Sequence, residues 1–234
     1  MSWVLGIDTS SVDLGAGLFK GDTAIASYSR FIRNSHAEHI AHTVDMLLKI
    51  NKVDPSEINR LAVTIGPGSF TGLRIGLAFA KGFCFGNPDA LILPVSSLEV
   101  MAYAAQRSSA RILTAIDARN DEVFLASFRF SQEKLIRLTD DSVCSIEEFR
   151  ELVKPDDLVI TDTMGYSRST AFDFLKQHPW FYPVEKFPVQ RGLFCSLRGS
   201  QALNEPQLWK KHSDILPRYL RMSSAQVKLK EKCL

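Results

Sequence analysis

The sequence predicts an α/β protein in which one strand-turn-strand plan is used twice. Three observations carry that expectation. An apolar run ends in a carboxylate at Leu5-Gly6-Ile7-Asp8 and again at Ala115-Ile116-Asp117, each time followed by a polar turn and a second strand. Between such runs lie segments whose apolar residues recur at helical spacing. The block Gly66-Pro67-Gly68-Ser69-Phe70-Thr71-Gly72-Leu73-Arg74-Ile75-Gly76 follows Leu61-Ala62-Val63-Thr64-Ile65 and leads into a Gly/Ala-rich stretch, the pattern of a strand, a tight loop and a helix N-terminus.

Taken in order, Trp3-Val4-Leu5-Gly6-Ile7-Asp8 is a buried strand, Leu14-Gly15-Ala16-Gly17-Leu18-Phe19 its hairpin partner, and residues 23–31 a third strand after the turn at Gly21-Asp22. Asn34-Ser35 offers an N-cap to a helix over 36–51, in which Ile40, Val44, Leu47 and Leu48 stand at i, i+4, i+7 and i+8. Asp54-Pro55-Ser56-Glu57 opens a short helical turn. A strand at 61–65, the glycine loop and a helix over about 71–85 follow; Gly72, Gly76 and Ala80 give that helix a stripe without bulk, where another backbone approaches closely. Residues 90–95 form a strand and 97–106 a helix, and the first domain ends there, spanning 1–106. The second, 107–212, holds strands at 111–116 and 122–128, a helix at 146–154, a strand at 158–161 and helices at 169–177 and 193–204. Residues 213–234 form a tail that turns strongly basic and reads as a solvated terminus.

Composition sets limits. With 234 residues, 45% of them hydrophobic, the chain can fill two modest cores. A net charge of +2 gives no general drive toward nucleic acid or membrane, so any RNA contact is local or made by a partner. Cys84, Cys144, Cys195 and Cys233 include no C-x-x-C pair, which argues against a disulfide framework or zinc knuckle and for free thiols in a reducing compartment. No secretory leader and no apolar run of spanning length stand in the sequence; a cytoplasmic protein is expected.

The glycine block fits neither familiar phosphate motif. Five residues separate Gly66 from Gly72 and Leu73-Arg74 follow, where a P-loop has four residues and then Lys with Ser or Thr. A dinucleotide fingerprint would place Gly where Thr71 stands. A helix N-terminus of this kind still offers N–H groups to an anion or to another segment of chain.

Ile7-Asp8-Thr9-Ser10, the block from Gly66 to Gly76, Ile116-Asp117-Ala118-Arg119 and Pro217-Arg218-Tyr219-Leu220-Arg221 together resemble the bacterial TsaB (YeaZ) family. The resemblance implies actin/Hsp70-like duplicated ribonuclease-H-like domains, mixed sheets flanked by helices. It implies a non-catalytic subunit of the complex that installs threonylcarbamoyl on the adenosine beside the anticodon, pairing with the catalytic relative TsaD and helping to recruit the ATPase TsaE. Alone, such a chain is expected to form a homodimer. The implied interface comprises Ile40, Val44, Leu47, Leu48, Gly72, Leu73, Gly76, Leu77 and Ala80. Asp8, Thr9, Ser10, Gly66, Gly68, Asp117 and Arg119 resemble the phosphate turns of actin-like ATPases and form a candidate nucleotide cleft, with ATP or ADP at the subunit interface as the implied cofactor. The first of those turns has no Gly and no Lys, so Asp8 also reads as a structural carboxylate within its turn. The alternative is an autonomous actin-like phosphotransferase or acyltransferase.

No catalytic or metal-binding residue is expected. The catalytic relative holds its metal through an H-x-x-x-H pair, and Ser97 and Met101 stand at the corresponding positions, neither a suitable ligand. His36, His39 and His42 lie in one helix, but His42 drifts from the face shared by the other two, and the H-E-x-x-H order is absent. No G-x-S-x-G elbow supports hydrolysis. Arg218, Arg221, Lys228, Lys230 and Lys232 could touch a tRNA backbone or an acidic partner face.

Overall fold

Two mixed β-sheets of matching topology organise the chain, seen in a computed structural model that describes residues 1–32, 35–165, 169–186 and 189–221. The first has the order β3-β2-β1-β4-β5, from β1 (Trp3–Asp8), β2 (Asp13–Lys20), β3 (Thr23–Phe31), β4 (Arg60–Gly66) and β5 (Leu91–Ser96). Antiparallel hairpins join β1 to β2 and β2 to β3, and β4 and β5 extend the sheet in parallel. The second sheet repeats this as β8-β7-β6-β10-β11, from β6 (Ile112–Arg119), β7 (Glu122–Ser131), β8 (Lys134–Arg137), β10 (Leu158–Asp162) and β11 (Phe181–Pro183), with β9 (Ser142–Ser145) also paired to β7. Strands covered on both faces need near-continuous apolar runs. β1, β4, β6 and β10 have them, whereas edge strand β3 is mostly exposed.

Helices α1 (His36–Ile50) and α2 (Phe70–Phe85) cover one face of the first sheet, where Ile40, Val44, Leu48, Leu77 and Ala80 pack with Leu5, Ile7 and Val63. Its other face receives α5 (Arg191–Gln201), through Cys195 and with Trp209 beside it. Leu98, Met101 and Ala102 of α3 (Ser97–Ala102) pack on the second sheet, and α4 (Ile146–Leu152) covers its far side through Phe149.

The first sheet draws its strands from residues 3–96 and the second from 112–183, but the helices do not follow that division. The helix expected to complete the second domain instead lies on the first sheet, and α3 wedges against the second. The reason is steric: a Cβ at Gly6 would strike the Ser196 backbone, and one at Gly192 the Ala16 backbone, so α5 settles deeper on β1 and β2 than side chains would allow. Residues 169–177 also depart from expectation, forming only a 3-10 turn at Asp173–Leu175. Phe172 and Leu175 insert beside Phe149, and Pro179 bars His178 from continuing a helix. Ser35 precedes α1 without a side-chain cap, and Asn34 lies outside the described residues. β8, β9 and β11 had no counterpart in the sequence reading.

Candidate functional site

The first turn and the glycine loop come together as a closed joint. One oxygen of Asp8 accepts from the Ser10 backbone N–H at 2.8 Å and from its hydroxyl at 2.7 Å. Thr9 donates its hydroxyl to the Gly72 carbonyl at 2.8 Å, and the Ser69 N–H donates to the Ser10 carbonyl at 2.8 Å. A Cβ at Gly72 would overlap the Thr9 carbonyl oxygen, and one at Gly68, where φ is +155°, the Ser10 carbonyl oxygen. The missing side chains therefore admit protein backbone. Asp8, Thr9 and Ser10 are 0%, 1% and 1% exposed, and Gly66 and Gly68 of the same candidate cleft lie against the Arg218 and Ser10 carbonyl oxygens. The Ser69 hydroxyl caps the helix, accepting from the Gly72 N–H at 3.2 Å.

The second turn is more open. Asp117 accepts from the Arg119 N–H at 2.7 Å and from the Ser169 hydroxyl at 2.5 Å, while Arg119 sits exposed at a φ of 64°. What joins the two turns is a strap, formed by residues for which the sequence predicts a solvated terminus. The Arg218 N–H donates to the Ile65 carbonyl at 2.8 Å, its guanidinium reaches Asp141 at 3.3 Å, and its carbonyl lies against Gly66. Tyr219 stacks on Phe70 with ring centroids 4.5 Å apart and accepts from Arg74 at 2.8 Å. Arg221 donates to the Ala118 carbonyl at 2.7 Å and pairs with Glu122 at 3.1 Å. Lys228, Lys230 and Lys232 lie outside the described residues.

Deeper in the molecule is a charged cluster whose central members the sequence reading missed. Arg191, at the start of α5, is fully buried and pairs with Asp162 at the end of β10, and its Nη1 lies 3.9 Å from Asp8 Oδ2. Burial works against the guanidinium charge, but Asp162, Asp8, Asp13 and Glu185 outweigh it and hold its pKa above the ordinary value. Asp13 is pushed up, by burial first. Asp162 carried a legible signal, because Val159-Ile160-Thr161-Asp162 is a third apolar run ending in a carboxylate; nothing in the sequence singles out Arg191.

The residues expected at a subunit interface are placed inside the chain. Ile40, Val44, Leu47, Leu48, Leu73, Leu77 and Ala80 are all 5% exposed or less, and Gly72 and Gly76 are buried against Thr9. Their apolar stripes face the chain's own sheet, which a hydrophobic period alone cannot distinguish from a partner. The outward side of α2 carries a different stripe: Thr71, Ile75, Ala78, Gly82 and Phe85 recur at spacings of four and three. Ala78 and Gly82 are exposed, Phe85 is 80% exposed, and a Cβ at Gly82 would meet nothing within 4 Å among the described residues. Beside it α1 presents half-buried Met46 and exposed Ile50. His36 turns inward to the Ser11 carbonyl at 2.8 Å while His42 is exposed, so the three histidines do not converge. Ser97 donates to the Pro67 carbonyl and Met101 lies in a core. A groove of about 1430 Å³ between α5 and the β10-β11 edge, lined in part by Trp180, Tyr182 and Phe194, contains none of the residues the sequence had marked.

Comparisons with known proteins agree with this architecture. A family model described as TsaD: tRNA N6-adenosine threonylcarbamoyltransferase matches residues 30–189. The tRNA threonylcarbamoyladenosine biosynthesis protein TsaB of Bacillus subtilis is 31% identical over 154 residues, covering 66% of this chain and 67% of that protein. The Escherichia coli protein of the same name is 36% identical over 128 residues, a region spanning 54% of each chain, so the match covers only about half of that relative. YeaZ from Pseudomonas aeruginosa superposes with a TM-score of 0.76 at 26% identity, covering 94% of this chain and 100% of that one. The duplicated sheets, the glycine joint and these likenesses make the chain a member of the TsaB (YeaZ) family.

Proposed function

We propose that the protein is a non-catalytic subunit in the threonylcarbamoylation of tRNA in the cytoplasm, acting by binding the catalytic relative TsaD through the outer faces of α1 and α2 and helping to recruit the ATPase TsaE. The names borne by its relatives support the pathway. The observation that carries the binding role is the outward stripe of α2, where half-buried Ile75 and exposed Phe85 alternate with exposed Ala78 and Gly82 at the spacing that helix-on-helix packing uses. Small residues there bring a partner helix close, and Phe85 and Ile50 supply apolar area. The same stripe serves for self-association when the partner is absent. Contact with tRNA is made mainly through the assembled complex.

The buried interior supports the lack of catalysis. By the resemblance to the family, Ser97 and Met101 correspond to the relative's metal ligands, and both are buried here. The deciding experiment is tRNA modification in a mixture of threonylcarbamoyl-adenylate, TsaD, TsaE and ATP, with and without this chain. Multi-turnover modification that requires the chain and is lost in Ala78→Arg or Gly82→Arg, both still folded, is the expected result. Equal modification without the chain, or transfer by the chain with TsaD absent, would overturn the reading.

A further inference from the structure

Asp8 and Asp162 come from different sheets yet are arranged alike. Asp8 Oδ1 accepts from the Ser10 N–H and hydroxyl, and Asp162 Oδ1 accepts from the Met164 N–H at 2.6 Å. Each carboxylate then directs Oδ2 toward the Arg191 guanidinium. Asp8, Asp162 and Arg191 are all at most 1% exposed, and among the described residues Asp8 Oδ2, Arg191 Nε and Arg191 Nη1 have no hydrogen-bond partner. Asp13 adds a third carboxylate and Glu185, held by Thr163, a more distant fourth. Uncompensated carboxylates in such a place are strongly unfavourable.

We propose that Arg191 is a built-in cation: it occupies, between the carboxylate-bearing turns of the two sheets, the place a free cation would otherwise take, and fastens the sheets together there. The role is independent of the partner-binding reading above. Since α5 rests on the first sheet, its arginine carries the connection across to Asp162 on the second. Truncating the side chain converts the cluster into a cation-binding site for a planar guanidinium ion, whose fork matches a carboxylate, in preference to a monovalent metal ion.

The test is thermal unfolding of the full chain, comparing Arg191→Ala, Asp162→Asn and the double variant with the unaltered protein. Removing the cation from two buried carboxylates is expected to lower Tm by roughly 10 °C. Millimolar ethylguanidinium should restore part of that loss, saturably, in Arg191→Ala and not in the unaltered protein, while sodium at equal ionic strength restores none. Adding Asp162→Asn should recover Tm and abolish the ethylguanidinium effect. An Arg191→Ala chain as stable as the unaltered one, or an equal ethylguanidinium effect on both, would overturn the proposal. Should Arg191→Ala fail to fold, Arg191→Met is compared with Arg191→Met/Asp162→Asn: recovery by the second substitution supports the counter-ion role, and no recovery refutes it.

Discussion

Replacing Gly72 by alanine should destabilise the protein although alanine is the better helix former. The added Cβ would overlap the carbonyl oxygen of Thr9, a backbone atom that cannot rotate aside, so α2 and the β1 turn must separate. Overpacking of this kind costs about 1–3 kcal/mol. The same displacement strains the 2.8 Å bond from the Thr9 hydroxyl to the Gly72 carbonyl, leaving a buried hydroxyl unsatisfied at about 1–3 kcal/mol. The intrinsic preference of alanine returns about 1 kcal/mol. The net loss is about 1–5 kcal/mol, a fall in Tm of roughly 2–20 °C for a chain of this size. Gly82 supplies the control on the same helix, since a Cβ there meets nothing within 4 Å. Gly82→Ala should therefore gain about 0.5–1 kcal/mol. Urea titrations followed by circular dichroism, with m unchanged, give both values. If Gly72→Ala unfolds within a degree of Gly82→Ala, the glycine block is not a steric joint and the reasoning fails.

The strap and the buried ionisable groups lead to further tests. Tyr219→Ala removes the Phe70 stack and the Arg74 bond; a loss of about 1–2 kcal/mol is expected, with faster proteolytic cleavage after Arg218 and Arg221, and unchanged cleavage there would refute the role of the strap. Asp13 has its pKa raised above the ordinary 3.8 by burial first, so the folded state holds the proton more tightly and stability is lost as pH rises from 3.8 through the raised value. Asp13→Asn should accordingly raise Tm at pH 7, with the advantage gone below about pH 4; an advantage that persists in acid would show a cause other than charge burial. Burial pushes the Cys84 thiol up to about 11, and burial with Glu148 does the same for Cys144. Both should alkylate with iodoacetamide at pH 8 on the order of 100-fold more slowly than an ordinary thiol, read by peptide mass spectrometry.

Periodicity found most of the frame because each long element obeys one dominant force. The continuous apolar runs at β1, β4, β6 and β10 admit no exposed face, and α1 shows the stripe that its sheet demands. It failed at 169–177, where packing of Phe172 and Leu175 against α4 outweighed helix propensity, and at the short strands β8, β9 and β11, which tertiary pairing alone creates. The candidate cleft was half legible. Asp8, Asp117 and Asp162 all stand at strand ends, but Arg191 becomes the neighbour of Asp8 and Asp162 only when α5 docks.

By itself, then, the sequence determined the fold class, the duplication and the family, because those rest on local spacing and on a glycine block that few folds require. Which way each stripe faces was decided only by the tertiary structure. A run of apolar residues at helical period specifies that a face will be buried without specifying by what, and here the chain's own sheet covers the inner stripe of α2 while Ala78, Gly82 and Phe85 remain outside. The glycines likewise marked a close approach in advance. Only the fold revealed that what approaches is the backbone of Thr9 and Ser10.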